Sequence, residues 1–176
     1  MKLKKIYKYL SLLIFFMITT KSYGEIKIAY FDLNYIMAKS KAGISISKQL
    51  TDIKKKNIAK LNKMEKGLNS KDKKLIAQKN ILSKEDFTQQ VKDLRKEAQE
   101  YENLRRNLIK DSNNKFIKAQ GDLVKKLNPI LAKYSEDNKI TLILQKKMIV
   151  IGKTELDITK DILELTNKEI NSIKLN

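Results

Sequence analysis

The sequence predicts a mainly α protein with a small β body, in which a long antiparallel helical hairpin is closed at its base by short strands from both ends of the chain. Three observations carry this. One Pro and five Gly in 176 residues, with 33% of the chain charged, favour long uninterrupted helices over a turn-rich sheet. Apolar residues recur at threes and fours through two long stretches on either side of Ser83. Alternation with a period of two is confined to residues 26–31 and 140–151.

The same composition limits the chemistry. Cys and His are both absent, which removes disulfides, thiolate and imidazole metal ligands, Cys nucleophiles and the usual neutral-pH acid-base group. Asp and Glu are scattered on charged helical stretches, where pairing with Lys one turn away is the ordinary reading, and no Gly-rich phosphate loop or nucleophile elbow occurs. The expectation is a protein that is not an enzyme and has no cofactor or metal site.

Charge is the dominant feature. The 38 Lys and Arg against 20 Asp and Glu give a formal net charge of +18. Five of those lysines fall in residues 1–24, which hold no acid, so the remainder carries 33 against 20, or +13. Such a chain is drawn to polyanions and acidic surfaces. Nearly all of this charge is Lys, and a composition heavy in Lys, Asn and Ile is also what a biased genome gives.

Residues 1–24 read as a signal peptide. Lys2 to Lys8 form a positive n-region, and Tyr9 to Thr20 form an apolar run of 12 residues, well short of the roughly 20 that span a bilayer. Ser22 and Gly24 supply the small residues of a cleavage site that leaves Glu25 as the new N-terminus of an exported protein. The alternative is an uncleaved N-terminal anchor.

Ile26 to Phe31 alternates Ile26, Ile28 and Tyr30 on one face, which predicts a strand. Asn34 is a plausible N-cap for a helix from Tyr35 to Leu82, about 72 Å long at 1.5 Å per residue, with a seam of Ile46, Leu50, Ile53, Leu61, Met64, Leu68, Leu75 and Leu82. Ser83 to Asp86 reads as a capping box that starts a second helix, in which Asp86 reaches back. Its seam is Phe87, Val91, Leu94, Ala98, Tyr101, Leu108, Phe116, Ala119, Leu123 and Leu127, and Pro129 kinks it or begins a new turn.

So short a link forces the two helices antiparallel, with Leu75 facing Val91 and Leu68 near Ala98. Lys-rich faces flank narrow seams, Asn57, Lys71 and Arg105 fall on or near them, and Gly67 interrupts the first helix, so the hairpin is expected to be loosest toward its tip. Residues 135–138 end the second helix. Ile140, Leu142 and Leu144 then alternate, Lys146 and Lys147 can turn, and Met148 to Ile151 reads as another strand. Asp157 caps a last helix from Ile158 to about Ile173. A sheet this small under one helix is marginal, and self-association through it would supply the missing burial.

The expected organisation is a signal peptide in residues 1–24, a small α/β oligomerisation body in residues 25–45 and 128–176, and a hairpin arm in residues 46–127 with its tip near residues 80–84. Lys27-Ile-Ala-Tyr-Phe-Asp-Leu-Asn after a signal peptide, the Lys-rich hairpin, the Ile-Thr-Leu-Ile-Leu strand, and Leu156-Asp-Ile-Thr before the last helix together resemble the Skp/OmpH family of periplasmic chaperones. The likeness runs over essentially the whole chain beyond the signal peptide and rests on the order of short motifs. One departure is that Lys147, Met148 and Ile151 stand where relatives often place Gly and an aromatic in the last hairpin.

The resemblance implies a homotrimer with a shared β body and three hairpins around a cavity that holds unfolded outer-membrane proteins without ATP. Candidate client-binding residues on the basic arm are Lys55, Lys56, Lys63, Lys66, Lys73, Lys74, Arg95, Arg105 and Arg106. Candidate oligomerisation residues are Ile26, Ile28, Tyr30, Leu142, Leu144, Ile149 and Ile151. The alternatives are a structural coiled coil of the envelope, or a binder of lipopolysaccharide or an anionic membrane surface. Nucleic acid is not an expected partner, since few aromatics are interleaved with the basic residues.

Overall fold

Strand β1 (Ile28–Phe31) pairs in parallel with β2 (Leu142–Gln145), Ile28 opposite Leu142 and Phe31 opposite Gln145. Parallel strands need a crossover, so the chain between them must leave the sheet and return to the end where it started. It does so through α1 (Leu33–Lys39), α2 (Lys41–Ala77) and α3 (Lys84–Asp137), and α4 (Thr159–Glu169) follows β2. This computed structural model describes residues 26–175, so the expected signal peptide and the expected cleavage site lie outside the described residues.

Pleating divides the sheet. Ala29 and Phe31 turn into the core, while Ile28 and Leu142 stay on the other side, 39% and 46% exposed. The expected third strand at Met148 to Ile151 does not form. A two-residue hairpin needs residues that accept positive φ, and Lys146-Lys147-Met148 offers none. The chain instead takes a 3₁₀ turn over Lys146–Met148, closed by the Ile149 N–H on the Lys146 carbonyl at 3.0 Å, and leaves the sheet. Among the described residues the sheet therefore has two strands.

The single first helix of the sequence reading is two helices, and its cap is Asp32 rather than Asn34. The Asp32 carboxylate accepts from the Tyr35 N–H at 3.0 Å and starts α1 two residues early. Ser40 ends α1 and caps α2, its hydroxyl accepting from the Gly43 N–H at 3.0 Å. Gly43 makes the bend possible, because a Cβ there would lie 1.9 Å from the Met37 carbonyl oxygen. Helix α2 is thus 37 residues, about 56 Å, instead of about 72 Å.

At the tip, the Gln78 N–H is shared between the Lys74 and Leu75 carbonyls, which ends α2 at Ala77 and tightens the chain into a turn. Ser83 then caps α3 by accepting from the Asp86 N–H at 3.0 Å. Asp86 does not reach back to the backbone. One methylene shorter than Glu, it accepts from the Ser83 hydroxyl at 2.7 Å.

Helix α3 runs 54 residues straight through Pro129. Pro129 lacks the N–H that would meet the Lys125 carbonyl, and both residues lie on the exposed side, where water can take that bond. The helix ends in a Schellman arrangement: Lys139 sits at φ 53°, the Ile140 N–H reaches the Ser135 carbonyl at 2.8 Å, and Ile140 is buried.

The core is gathered where these elements meet. Ile36, Ile46, Leu123, Leu127 and Ile162 are buried, with Phe31, Ile130 and Ile158 around them. Further along the hairpin only the seam positions are partly covered, and Leu75 and Ser112 are the buried ones. The cap position of α4 is Ile158, with no side-chain cap, rather than Asp157; Asp157 lies one residue earlier and braces the turn by accepting from the Thr159 N–H at 2.9 Å. The helix stops at Glu169, earlier than Ile173, and residues 170–175 follow without regular secondary structure, with Ile170 and Ile173 buried. The Gln49 amide clasps that segment, donating to the Ile173 carbonyl at 2.7 Å and accepting from the Leu175 N–H at 3.0 Å.

Two Gly→Ala substitutions should act in opposite directions. Gly43→Ala forces Cβ into backbone and should cost at least about 2 kcal/mol, whereas Gly67→Ala, with nothing within 4 Å of the added carbon, should gain up to about 1 kcal/mol of helix stability. Urea unfolding followed by circular dichroism reads both; equal effects at the two positions would contradict this account of the bend.

Candidate functional site

Charge is distributed unequally over this fold. Residues 46–127 hold 22 Lys and Arg against 11 Asp and Glu, a net +11, while residues 25–45 and 128–176 hold 11 against 9, a net +2. Within the hairpin, residues 46–77 alone carry 10 basic side chains against 3 acids. Most of the field around the molecule therefore originates on the arm, and on its first helix above all.

Helical geometry sets out the individual lysines. At 100° per residue, Lys55, Lys66 and Lys73 fall opposite the α2 seam, whereas Lys56, Lys63 and Lys74 fall on its flank. All six are exposed, as are Arg95, Arg105 and Arg106 on α3. Arg105 pairs with Glu102 at 3.5 Å and Arg106 donates to Asn103 at 2.5 Å, so both guanidinium groups have neighbours on their own helix. The nine candidates are spread along both helices of the arm as exposed side chains, from Lys55 to Lys74 on α2 and from Arg95 to Arg106 on α3.

Lys71 and Glu97 meet across the hairpin at 2.5 Å. Both are about half exposed, so the pair is worth at most about 1 kcal/mol, but it fixes the register: Glu97, not Ala98, is the half-buried residue at this level of α3. A second departure lies nearer the base. Phe116 does not close into the seam; it is 42% exposed, and the small residues Ser112 and Ala119 take the buried positions on either side of it. With Ser112 and Ala119 as the buried side chains of α3 at this level, α2 and α3 leave a cleft of about 950 Å³ bounded by Met37, Ile44, Leu50, Lys54, Lys55 and Phe116. A smaller one of about 240 Å³ lies toward the tip beside Lys71, Lys74, Leu75 and Leu94.

The body anchors the arm through a few polar contacts. Tyr134 near the end of α3 donates to Asp161 of α4 at 2.5 Å. Burial, and then the bond to and negative charge of Asp161, push the Tyr134 phenol up to about 12. The Asp32 N–H donates to the Thr159 hydroxyl at 2.9 Å, which donates in turn to Asp157 at 2.5 Å, joining the end of β1 to the start of α4. Burial opposes ionisation of Asp157, but the Thr159 hydroxyl and N–H and the Lys146 ammonium outweigh it and hold the carboxyl below its usual value.

The residues expected to mediate self-association divide in two. Ile26, Ile28, Leu142 and Ile151 are exposed, at 71%, 39%, 46% and 92%, with Met148 and Val150 beside them at 72% and 98%. Tyr30 is instead buried within the protomer, against Gly152 and Ile149, with its hydroxyl on the Lys153 carbonyl at 3.3 Å. Leu144 and Ile149 are half-buried. The sequence reading missed Gln49 and the off-seam isoleucines Ile44, Ile58, Ile76 and Ile109, each more than half exposed. Their signal was apolar side chains standing out of heptad register.

A charged two-helix arm rooted in a two-stranded α/β body defines a class of helical-hairpin proteins. Comparison with known proteins narrows it: the sequence matches the family described as outer membrane protein (OmpH-like) over residues 27–165, and the chain belongs to that family. The fold superposes with a TM-score of 0.78 on the crystal structure of an OmpH-like protein from Caulobacter crescentus, described there as a candidate outer membrane chaperone, at 18% identity over 87% of this chain and 90% of that one. No curated protein matches the sequence.

A phenol held above its ordinary value of 10.0 stabilises the fold while protonated. That contribution is full below pH 10, the unfolded value, and fades as pH rises toward about 12. Ultraviolet titration should show a late-ionising tyrosine that Tyr134→Phe removes; an unchanged titration curve in the variant would contradict the Tyr134–Asp161 anchor.

Proposed function

We propose that this chain is an ATP-independent periplasmic holdase that binds unfolded outer-membrane proteins and keeps them soluble on their way to the outer membrane. The observation that carries the reading is the separation of roles within one chain: an arm of net +11 attached to a body of net +2 that exposes an apolar sheet face. Membership of the OmpH-like family supports it, as does the chaperone description of the Caulobacter crescentus protein.

The body assembles three copies. A two-stranded sheet covered by helices on one face leaves the other face open, and there Ile28 and Leu142, with Val150 and Ile151, leave apolar surface that a second copy can cover. Three arms then surround a client. Like charge on the arms keeps them apart, and long-range attraction draws in clients of acidic net charge. Many weak contacts hold the client without trapping it, which suits a protein that releases cargo with no energy source. The basic residues from Lys55 to Arg106 act as a population, so single substitutions among them have small effects.

The excess of charge on α2 favours a second reading, a binder of lipopolysaccharide or anionic membrane surface that uses the same lysines. One experiment separates the two. A urea-unfolded β-barrel membrane protein is diluted into the chain from residue 25 onward, at low salt and at about 1 M salt, where the screening length falls to about 3 Å. The holdase reading predicts suppressed aggregation at low salt that weakens as salt rises; aggregation unaffected by the protein at low salt would leave only the polyanion reading.

A further inference from the structure

The off-seam isoleucines are not scattered. Ile44, Ile58 and Ile76 of α2 are separated by 14 and 18 residues, close to four and five whole turns, so they stand on one face of that helix. They are 55%, 57% and 65% exposed. On α3, Ile109 and Phe116 are seven residues apart, two turns, and are 55% and 42% exposed. The register fixed by Lys71 and Glu97 brings Ile58 level with Ile109. Ile44 and Phe116 line the 950 Å³ cleft together, which places the α2 and α3 rows on the same side of the hairpin.

We infer that this side of the arm, from the basal cleft to the Ile58–Ile109 level, is a docking track for single β-strand segments of an unfolded membrane barrel. The inference rests on the holdase reading and names the part of the client that is held. Ile44 and Ile58 lie about 21 Å apart along α2, the length of about six residues of extended chain. A barrel strand of about 9–11 residues alternates apolar and polar side chains. Laid along the track, it sets its apolar side on Ile44, Ile58, Ile109 and Phe116 and leaves its polar side to water. The charged lining of the cleft is Lys48, Lys54 and Lys55 against the single acid Asp52, so the track favours strands flanked by acidic residues.

The test uses the whole chain from residue 25, a fluorescent peptide of alternating Leu and Ser flanked by aspartates, and the same peptide flanked by lysines. Fluorescence anisotropy at low salt should show binding of the acidic peptide and at least about tenfold weaker binding of the basic one. Ile44→Ser with Phe116→Ser, both at exposed positions, should weaken the acidic peptide by about tenfold or more with unchanged circular dichroism, and Ile58→Ser with Ile109→Ser should do the same. Lys54→Glu with Lys55→Glu should narrow or reverse the preference between peptides. If the serine variants bind as the parent does, the track is overturned. A parent that keeps a unfolded barrel soluble while the serine variants lose nothing sinks the track alone; a parent that fails to keep it soluble sinks the holdase reading as well.

Discussion

Parallel pairing of Ile28–Phe31 with Leu142–Gln145 is the contact on which the rest of this molecule depends. It joins the two ends of the described chain and makes everything between them a single crossover. An ordinary crossover helix packs back on its own sheet. Here α2 and α3 are far longer than a two-stranded sheet is wide, so beyond Leu50 α2 and α3 have only each other to bury against. The arm is thus a consequence of sheet topology together with helix length.

That arrangement sorts the residues by consequence. In the body, buried side chains from five elements meet, and polar groups are committed to bonds between elements: Asp32 with Thr159, which bonds in turn to Asp157, Tyr134 with Asp161, and Gln49 with the segment after α4. On the arm one half-covered seam carries the pairing, and the remaining faces are free to be lysine or isoleucine without disturbing the fold. Function can be written on those faces because stability does not use them. The 42% exposure of Phe116 shows the same freedom at the seam itself, where Ser112 and Ala119 take over the packing.

Long-period features of this fold were legible in the sequence. Apolar positions at threes and fours across tens of residues survive any local ambiguity, so the two helices, their antiparallel return and the restart at Ser83 could be read directly. What escaped depends on a few atoms. The break at Ser40 needed the hydroxyl of Ser40 and the bare Cα of Gly43 to act together, and the apolar seam read from the sequence begins only at Ile46, past that break, so it carries no sign of it. The absent strand at Met148 to Ile151 has strand-like composition and lacks only a turn able to bring it back. Of the candidate surface, the lysines were visible as charge and the isoleucines of α2 as apolar residues out of heptad register, but their alignment with Ile109 and Phe116 appears only when the register between α2 and α3 is known.

The central proposal is that the exposed apolar surface of the body, at the small sheet and the segment that follows it, joins three copies so that three basic arms work on one client. Light scattering of the chain from residue 25 tests it most directly, beside a variant with Val150→Asp and Ile151→Asp, two side chains that are 98% and 92% exposed and so are not needed to fold the protomer. The account predicts the mass of three chains for the parent and of one chain for the variant, with helix content unchanged. A parent that scatters as a single chain, or a variant that keeps the parent's mass, would contradict it.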